Sequence, residues 1–332
     1  MHVSTNLAAS PLYAPKRFAP PRLPMRFLAI WVALAVLAAA CAIFLPRSVA
    51  PTTIQTILPF VAFLSIAAMG QALVLMGRGI DLSVPAIVSL SSAVLLGVSQ
   101  GSDDRLGLAI VAALLAAVCV GAVNGILVAA LRLNALIVTL ATGAIVGGLT
   151  LWYRQGLAAE AKVPAALASF ASARAGGLPI SVWFALALAL LLTAALRKTE
   201  PGRRFEAVGA NPRAAHATGI RTMRYQAGAF VLAALLYGIM AILLSGFIRN
   251  PTLEVGNPYL LAPIAAAVLG GTAMSGGIGS MIAVLGASMF VMQLDQASKM
   301  MGLATSWQLI VQGAAIAAGM WLSEAASRAG RR

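Results

Sequence analysis

The chain has 332 residues, of which 61% are hydrophobic and only 10% are charged, less than half the charge of an ordinary soluble domain. A mean hydropathy of +0.93, spread over many apolar runs without polar faces, excludes a soluble fold. It indicates an all-α polytopic membrane protein. The excess of 23 Lys/Arg over 9 Asp/Glu gives a net charge of +14. In a soluble protein that balance would suggest nucleic acid. In an apolar chain it serves topology and contact with anionic membrane lipid, so no nucleic-acid partner is expected. Cys41 and Cys119 both lie in apolar runs, with no disulfide framework or metal spacing.

Residues 1–26 form a Pro-rich basic tail, expected to be disordered and cytoplasmic. The apolar run 27–45 has 19 residues, longer than a signal-peptide core of about 7–15, and reads as a retained anchor. Hydropathy then predicts about ten spans, with eight to ten admissible: 27–45, 54–76, 84–99, 107–131, 135–152, 179–196, 226–247, 260–274, 278–294 and 305–322. The third, eighth and ninth are short for a bilayer of about 30 Å and read as broken, tilted or half-spanning. Ten spans permit two inverted five-helix halves, although no sequence repeat marks them. The permease domain so defined covers 27–322, and a basic cytoplasmic tail, 323–332, follows. The segment 153–178 is long enough for a short surface helix or a plug.

With the N-terminus inside, alternation places sixteen Lys/Arg in inside segments and seven in outside ones. The bias has the sign expected of a membrane protein. It puts the longest polar segment, 197–224, in the cytoplasm. That segment holds seven Lys/Arg and two acids, Glu200 and Glu206. A small helix over 212–218 is predicted at its centre. Asn211 suits the N-cap, Pro212 the first position and Gly219 the stop, with Ala214, Ala215 and Ala217 in the body. So short a helix is unstable alone and needs a docking partner.

Three further stretches interrupt the apolar pattern. In GRGIDLSVP (77–85), two glycines and a proline break the helix and bring Asp81 near the membrane, either as a functional group or as a turn residue pairing with Arg78 or capping with Ser83. In NGILVAALRLNALIVTLAT (124–142), Asn124, Asn134, Thr139 and Thr142 either line a solute path or hydrogen-bond across helices. In LGGTAMSGGIGS (269–280), five glycines, among them Gly270, Gly271, Gly276 and Gly277, leave irregular backbone that must be buried or line a cavity, a candidate gate or a packing break.

Absences narrow the chemistry. The sequence has no GxxxxGK[ST] phosphate loop, no HExxH, no paired-Cys metal motif, and only two histidines, His2 and His216. No span carries a carboxylate series suited to proton relay. Catalytic residues are therefore not expected, nor is a bound metal or cofactor. Energy for uphill transport would come from another subunit. A stand-alone secondary carrier or scaffold is the competing class.

Taken together, GRGIDLSVP, NGILVAALRLNALIVTLAT, GRRFEAVGANPRAAHATGI and VLGGTAMSGGIGS resemble, in order, motifs of the inner-membrane permeases of bacterial ABC importers for simple sugars, the ribose/xylose/galactose-type group. The likeness runs from about Gln71 to Gly313. Arg78 and Pro85 stand where that group has glycines, and Ile278 where an arginine is common. Related permeases for amino acids share the broad architecture. The resemblance implies a non-catalytic permease in the bacterial inner membrane, with both termini cytoplasmic. It implies a second permease copy or a related one, a cytoplasmic ABC ATPase that uses ATP and Mg, and a periplasmic sugar-binding protein. It also implies that the short helix is a coupling helix, with Gly209, Asn211, Ala214, Ala215, Gly219 and Ile220 matching the family loop. Arg213 adds a charge that could meet the ATPase.

Overall fold

The structure is a computed structural model. It describes residues 25–157 and 161–304, and beyond these 306–308, 310, 311, 313, 314 and 317. The basic tails and most of the predicted span 305–322 lie outside the described residues.

Helices α1 (Met25–Phe44), α2 (Pro51–Met76), α3 (Val84–Ser99), α4 (Leu106–Ala129) and α5 (Ala135–Gln155) come first. A short outer segment follows, with α6 (Ala165–Ser172) and a two-stranded hairpin, β1 (Arg174–Ala175) and β2 (Leu178–Pro179). Then come α7 (Ile180–Lys198), α8 (Glu200–Ala210), α9 (Pro212–Ala217), α10 (Thr222–Ile248), α11 (Ala262–Leu269) and α12 (Met281–Met300). Among the described residues, seven helical segments are long and apolar enough to cross a membrane, and α3 and Asn257–Leu269 are shorter apolar helices.

Burial orders these helices into a centre and a rim. In α2, 89% of the apolar window is buried, against 17% in α1, 28% in α5 and 22% in α7. Helix α2 is therefore the axis of the domain, packed by α7, α10, α11 and α12, while the poorly buried helices turn apolar side chains such as Val36, Ile137 and Leu191 outward. A helix apolar on all sides suits either role, so hydropathy alone could not separate them.

Helix α4 shows how the packing is encoded. Ala109, Ala113, Ala117, Gly121 and Gly125 recur every fourth residue and are all buried. Such a stripe of small residues lets helix backbones approach closely. Here α10 fills it. A Cβ on Gly121 would lie 2.7 Å from the Phe230 carbonyl oxygen, and one on Gly125 would lie 2.7 Å from that of Ala227.

Three sequence expectations need correction. The span predicted at 260–274 is helical only to Leu269, because the chain turns at Gly270 and passes through Gly271 at φ +82°. The span predicted at 278–294 starts at Met281, after an extended Ser280 that caps it, and runs on to Met300. Its polar last third lowers hydropathy without ending the helix. The cytoplasmic segment holds two helices rather than one. Helix α8 was not anticipated, and α9 spans six residues, ending at Ala217.

Candidate coupling joint and transport cleft

Helix α8 starts conventionally. The Thr199 hydroxyl accepts from the Gly202 amide at 3.2 Å, Pro201 sits in the first turn, and Glu200 pairs with Arg204. Its Phe205 and Val208 are buried three residues apart, so the helix lies with one face against the bundle. Glu206 is half-buried. Desolvation pushes its carboxyl above the ordinary range, partly opposed by the nearby Arg197 guanidinium.

Asn211 separates α8 from α9. Its side chain accepts from the Ala214 amide at 3.1 Å, an N-cap for α9. The C-terminus closes with a Schellman pair, Gly219 N–H donating to His216 O at 2.9 Å and Ile220 N–H to Ala215 O at 3.1 Å, with Gly219 at φ +84°. Arg213, Ala214 and Ala217 are exposed, whereas Ala215 is buried and Ile220 partly so. The free face of α9 is therefore narrower than the sequence motif, and Ala215 anchors the helix from behind.

Gly209, at the far end of α8, is buried and does not share that face. It meets the ends of two other elements. A Cβ there would fall inside contact distance of the Met76 carbonyl oxygen and 2.6 Å from the Gly277 nitrogen. The same Met76 carbonyl accepts from the Gly277 amide at 2.9 Å. Gly276 and Gly277 have φ of +91° and +80°, and a Cβ on Gly276 would lie 2.5 Å from Gly209 O. Arg78 closes the knot. At φ +71° its backbone is left-handed, and its Nε donates to Ser275 O at 2.8 Å. Three motifs far apart in sequence thus cross backbone to backbone, which only glycine permits at 209, 276 and 277.

Asp81 sits beyond this knot, fully buried. It does not pair with Arg78. Its Oδ1 accepts from the Ser83 amide at 2.8 Å and the Ser83 hydroxyl at 2.6 Å. Asn124 Nδ2 donates to the same Ser83 hydroxyl oxygen at 2.9 Å. The Thr139 hydroxyl oxygen accepts from the Leu82 amide at 3.0 Å. With its amide oriented to satisfy its neighbours, Gln71 bonds the Asp81 backbone at both N–H and C=O, and donates to the Tyr237 hydroxyl at 3.1 Å. Asp81, Asn124 and Thr139 therefore form one network that ties the α2–α3 break to α4, α5 and α10. Among the described residues, Asp81 Oδ2 and Asn124 Oδ1 have no hydrogen-bond partner. The sequence pointed to Asp81, Asn124 and Thr139 but not to Gln71 or Tyr237, which sit inside regular helices with no local irregularity to mark them.

The opposite end of the domain holds a cleft of about 890 Å³ between α2, α10, α11 and α12. Phe60 and Tyr259 supply aromatic surface, and Asn257, Gln296 and the Asp295–Lys299 pair (2.5 Å) supply polar groups. The cleft follows α11 to Leu269, one residue before the glycine turn that begins at Gly270. Its base and the knot around Gly209 are thus two ends of the same 270–277 segment. Among the described residues, no group of three or more His, Cys, Asp or Glu could hold a metal ion.

A bundle of apolar helices with a broken pair at its axis, a polar-edged cleft at one end and a short capped helix at the other has the make-up of a membrane permease. Comparison with known proteins places it further. The chain belongs to the family described as "Branched-chain amino acid transport system / permease component", which matches residues 53–319. It is similar to the ribose import permease protein RbsC of Bacillus subtilis (strain 168), 31% identical over 293 residues, covering 88% of this chain and 91% of that one. It is also similar to the autoinducer 2 import system permease protein LsrC of Salmonella typhimurium (strain LT2), 32% identical over 289 residues, covering 85% and 82%. With LsrC of Escherichia coli (strain K12 / DH10B) the identity is 36% over 254 residues, covering 75% and 72%. The resemblance read from the four motifs holds.

Proposed function

We propose that this chain is the membrane-spanning subunit of an ATP-driven importer for a simple sugar, passing on solute received from a periplasmic binding protein. The observation that carries the reading is the knot of Met76, Gly209 and Gly277. It joins the short helix α9 to the base of the cleft through a rigid α8, with no flexible linker between. A cytoplasmic ATPase seated on the exposed face of α9, around Arg213 and Ala214, would move α8 as a lever. The 270–277 turn would follow, because backbone atoms in contact cannot slip past one another. The cleft would then close outward and open inward, the alternating access that such a subunit needs. ATP and Mg would act in the ATPase, and this chain would break no covalent bond.

The same reading carries the finer topology. The two short apolar helices and the segment 305–322 bring the seven long spans to ten. Both termini lie in the cytoplasm of a bacterial cell, as the bias of basic residues supports, and two permease copies act together. The names of the relatives support a sugar or sugar-like cargo, and the aromatic and amide groups of the cleft suit one. The family description instead favours a branched-chain amino acid, for which the Asp295–Lys299 pair would face a zwitterion. Reconstitution with the cognate ATPase and binding protein decides. ATP-dependent uptake of labelled ribose, with labelled leucine excluded, is expected. Uptake of either solute without an ATPase would overturn the proposal.

A further inference from the structure

The transport reading leaves a second cavity unused. A groove of about 210 Å³ lies between the end of α7, α8 and the start of α10. Leu192, Leu196, Phe205, Tyr225 and Leu232 form its walls. Gly228 also lines it and faces open space, since a Cβ there would meet no atom within 4 Å. Among the described residues that line the groove, Arg224 alone is charged, and it is exposed.

Position and charge identify what fills it. The groove sits where α7 and α10 meet the basic segment 197–224, which the proposed topology puts at the cytoplasmic headgroups. Covering walls this apolar with hydrocarbon rather than leaving them to water is favourable. Leu232, in its wall, is 49% exposed, so the groove opens on the outside of the bundle. Nearby, Arg204 is paired with Glu200 and Arg197 faces Glu206. Arg224 has no ion pair among the described residues, and its guanidinium is suited to a phosphate. Anionic lipid supplies both the chain and the charge on the cytoplasmic side.

We propose that this groove seats one acyl chain of an anionic phospholipid from the cytoplasmic leaflet, with the lipid phosphate on Arg224. The chain would fill the space behind Phe205 and so hold α8 against the bundle. Native mass spectrometry of the purified chain, offered equal phosphatidylglycerol and phosphatidylcholine, tests it. One retained phosphatidylglycerol per chain is expected, at least tenfold favoured over phosphatidylcholine. Gly228→Leu, which fills the groove, should abolish retention, and Arg224→Gln should bring the two lipids to parity. Equal retention of both lipids by the unaltered chain, or undiminished retention by Gly228→Leu, would overturn the proposal. Photo-crosslinking of the unaltered chain with a diazirine-bearing phosphatidylglycerol needs no variant. Labels are expected within 192–205 and 224–232, and labels confined elsewhere would overturn it. Neither measurement depends on what solute is carried.

Discussion

Gly209→Ala tests the joint between the cytoplasmic helices and the broken core. The added methyl group meets Met76 O, Gly277 N at 2.6 Å and Gly277 Cα at 2.8 Å. All three are backbone atoms, so no side chain can swing aside. Overpacking of this kind costs about 1–3 kcal/mol. Forcing Gly277 away breaks its hydrogen bond to Met76 and leaves two buried polar groups unpaired, about 1–3 kcal/mol more. Better helix propensity returns about 1 kcal/mol. The net loss is about 3 kcal/mol, a fall in melting temperature of about 4 °C at roughly 2.1 cal/mol/K of unfolding entropy per residue over 332 residues. The assay is thermal unfolding of the purified chain beside ATP-driven uptake in reconstituted vesicles. Uptake per folded chain should fall while ATP hydrolysis by the bound ATPase persists. Gly148→Ala, at a helical position where a Cβ meets nothing within 4 Å, serves as the stability control and should not lower the melting temperature. If Gly209→Ala matched that control in stability and retained full uptake, the crossing would not be the transmission point.

Other substitutions probe the remaining parts. Asn211→Ala removes the cap of α9 and should cost about 0.5–2 kcal/mol of local stability, read as weaker co-purification of the ATPase. Asp81→Ala strands the Ser83 amide and hydroxyl and should lower the melting temperature more than Asp81→Asn, which keeps an acceptor oxygen; equal effects would remove the network's role. Tyr237→Phe keeps the ring against Gly70 but strands a buried Gln71 N–H, so it should cost about 1–3 kcal/mol by the same unfolding assay. Raising pH through the elevated titration range of Glu206 charges a half-buried carboxylate at a desolvation cost. A folded-state pKa above the unfolded one means that this group's contribution to stability is present at low pH and lost as pH rises past it. Glu206→Gln should therefore flatten the mildly acidic part of the stability–pH curve.

What was legible in the sequence followed locality. Membrane character, the capped helix after Asn211, its stop at Gly219 and the breaks at 77–83 and 270–280 all rest on neighbouring residues, and each stands in the structure. Helix α8 was hidden because its charge disguised it as loop, although Thr199, Glu200 and Pro201 spell a helix start, and Phe205 and Val208 a buried face. The partners of Gly209 lie 133 and 68 positions away in the chain, and no local rule reaches them. The cleft was equally out of reach, since Asn257 and Gln296 become significant only once α11 and α12 stand side by side. Ala215 shows what a motif leaves out. Its motif suggested contact with a partner, while the structure turns it inward.

The bond between Gln71 and Tyr237 also sets an order of events during synthesis. Hydroxyls such as Ser65, Thr150 and Ser288 bond a carbonyl one turn back in their own helix, so those spans can rest in lipid singly. Gln71 satisfies its carbonyl and one N–H on the Asp81 backbone ten residues on, but its remaining N–H bonds Tyr237, 166 residues further along the chain. At roughly 5–20 residues per second, the ribosome needs about 10–30 seconds to deliver it. Through that interval one buried N–H of the axial helix lacks its final partner, and the α2–α3 break is locked to α10 only when that helix arrives.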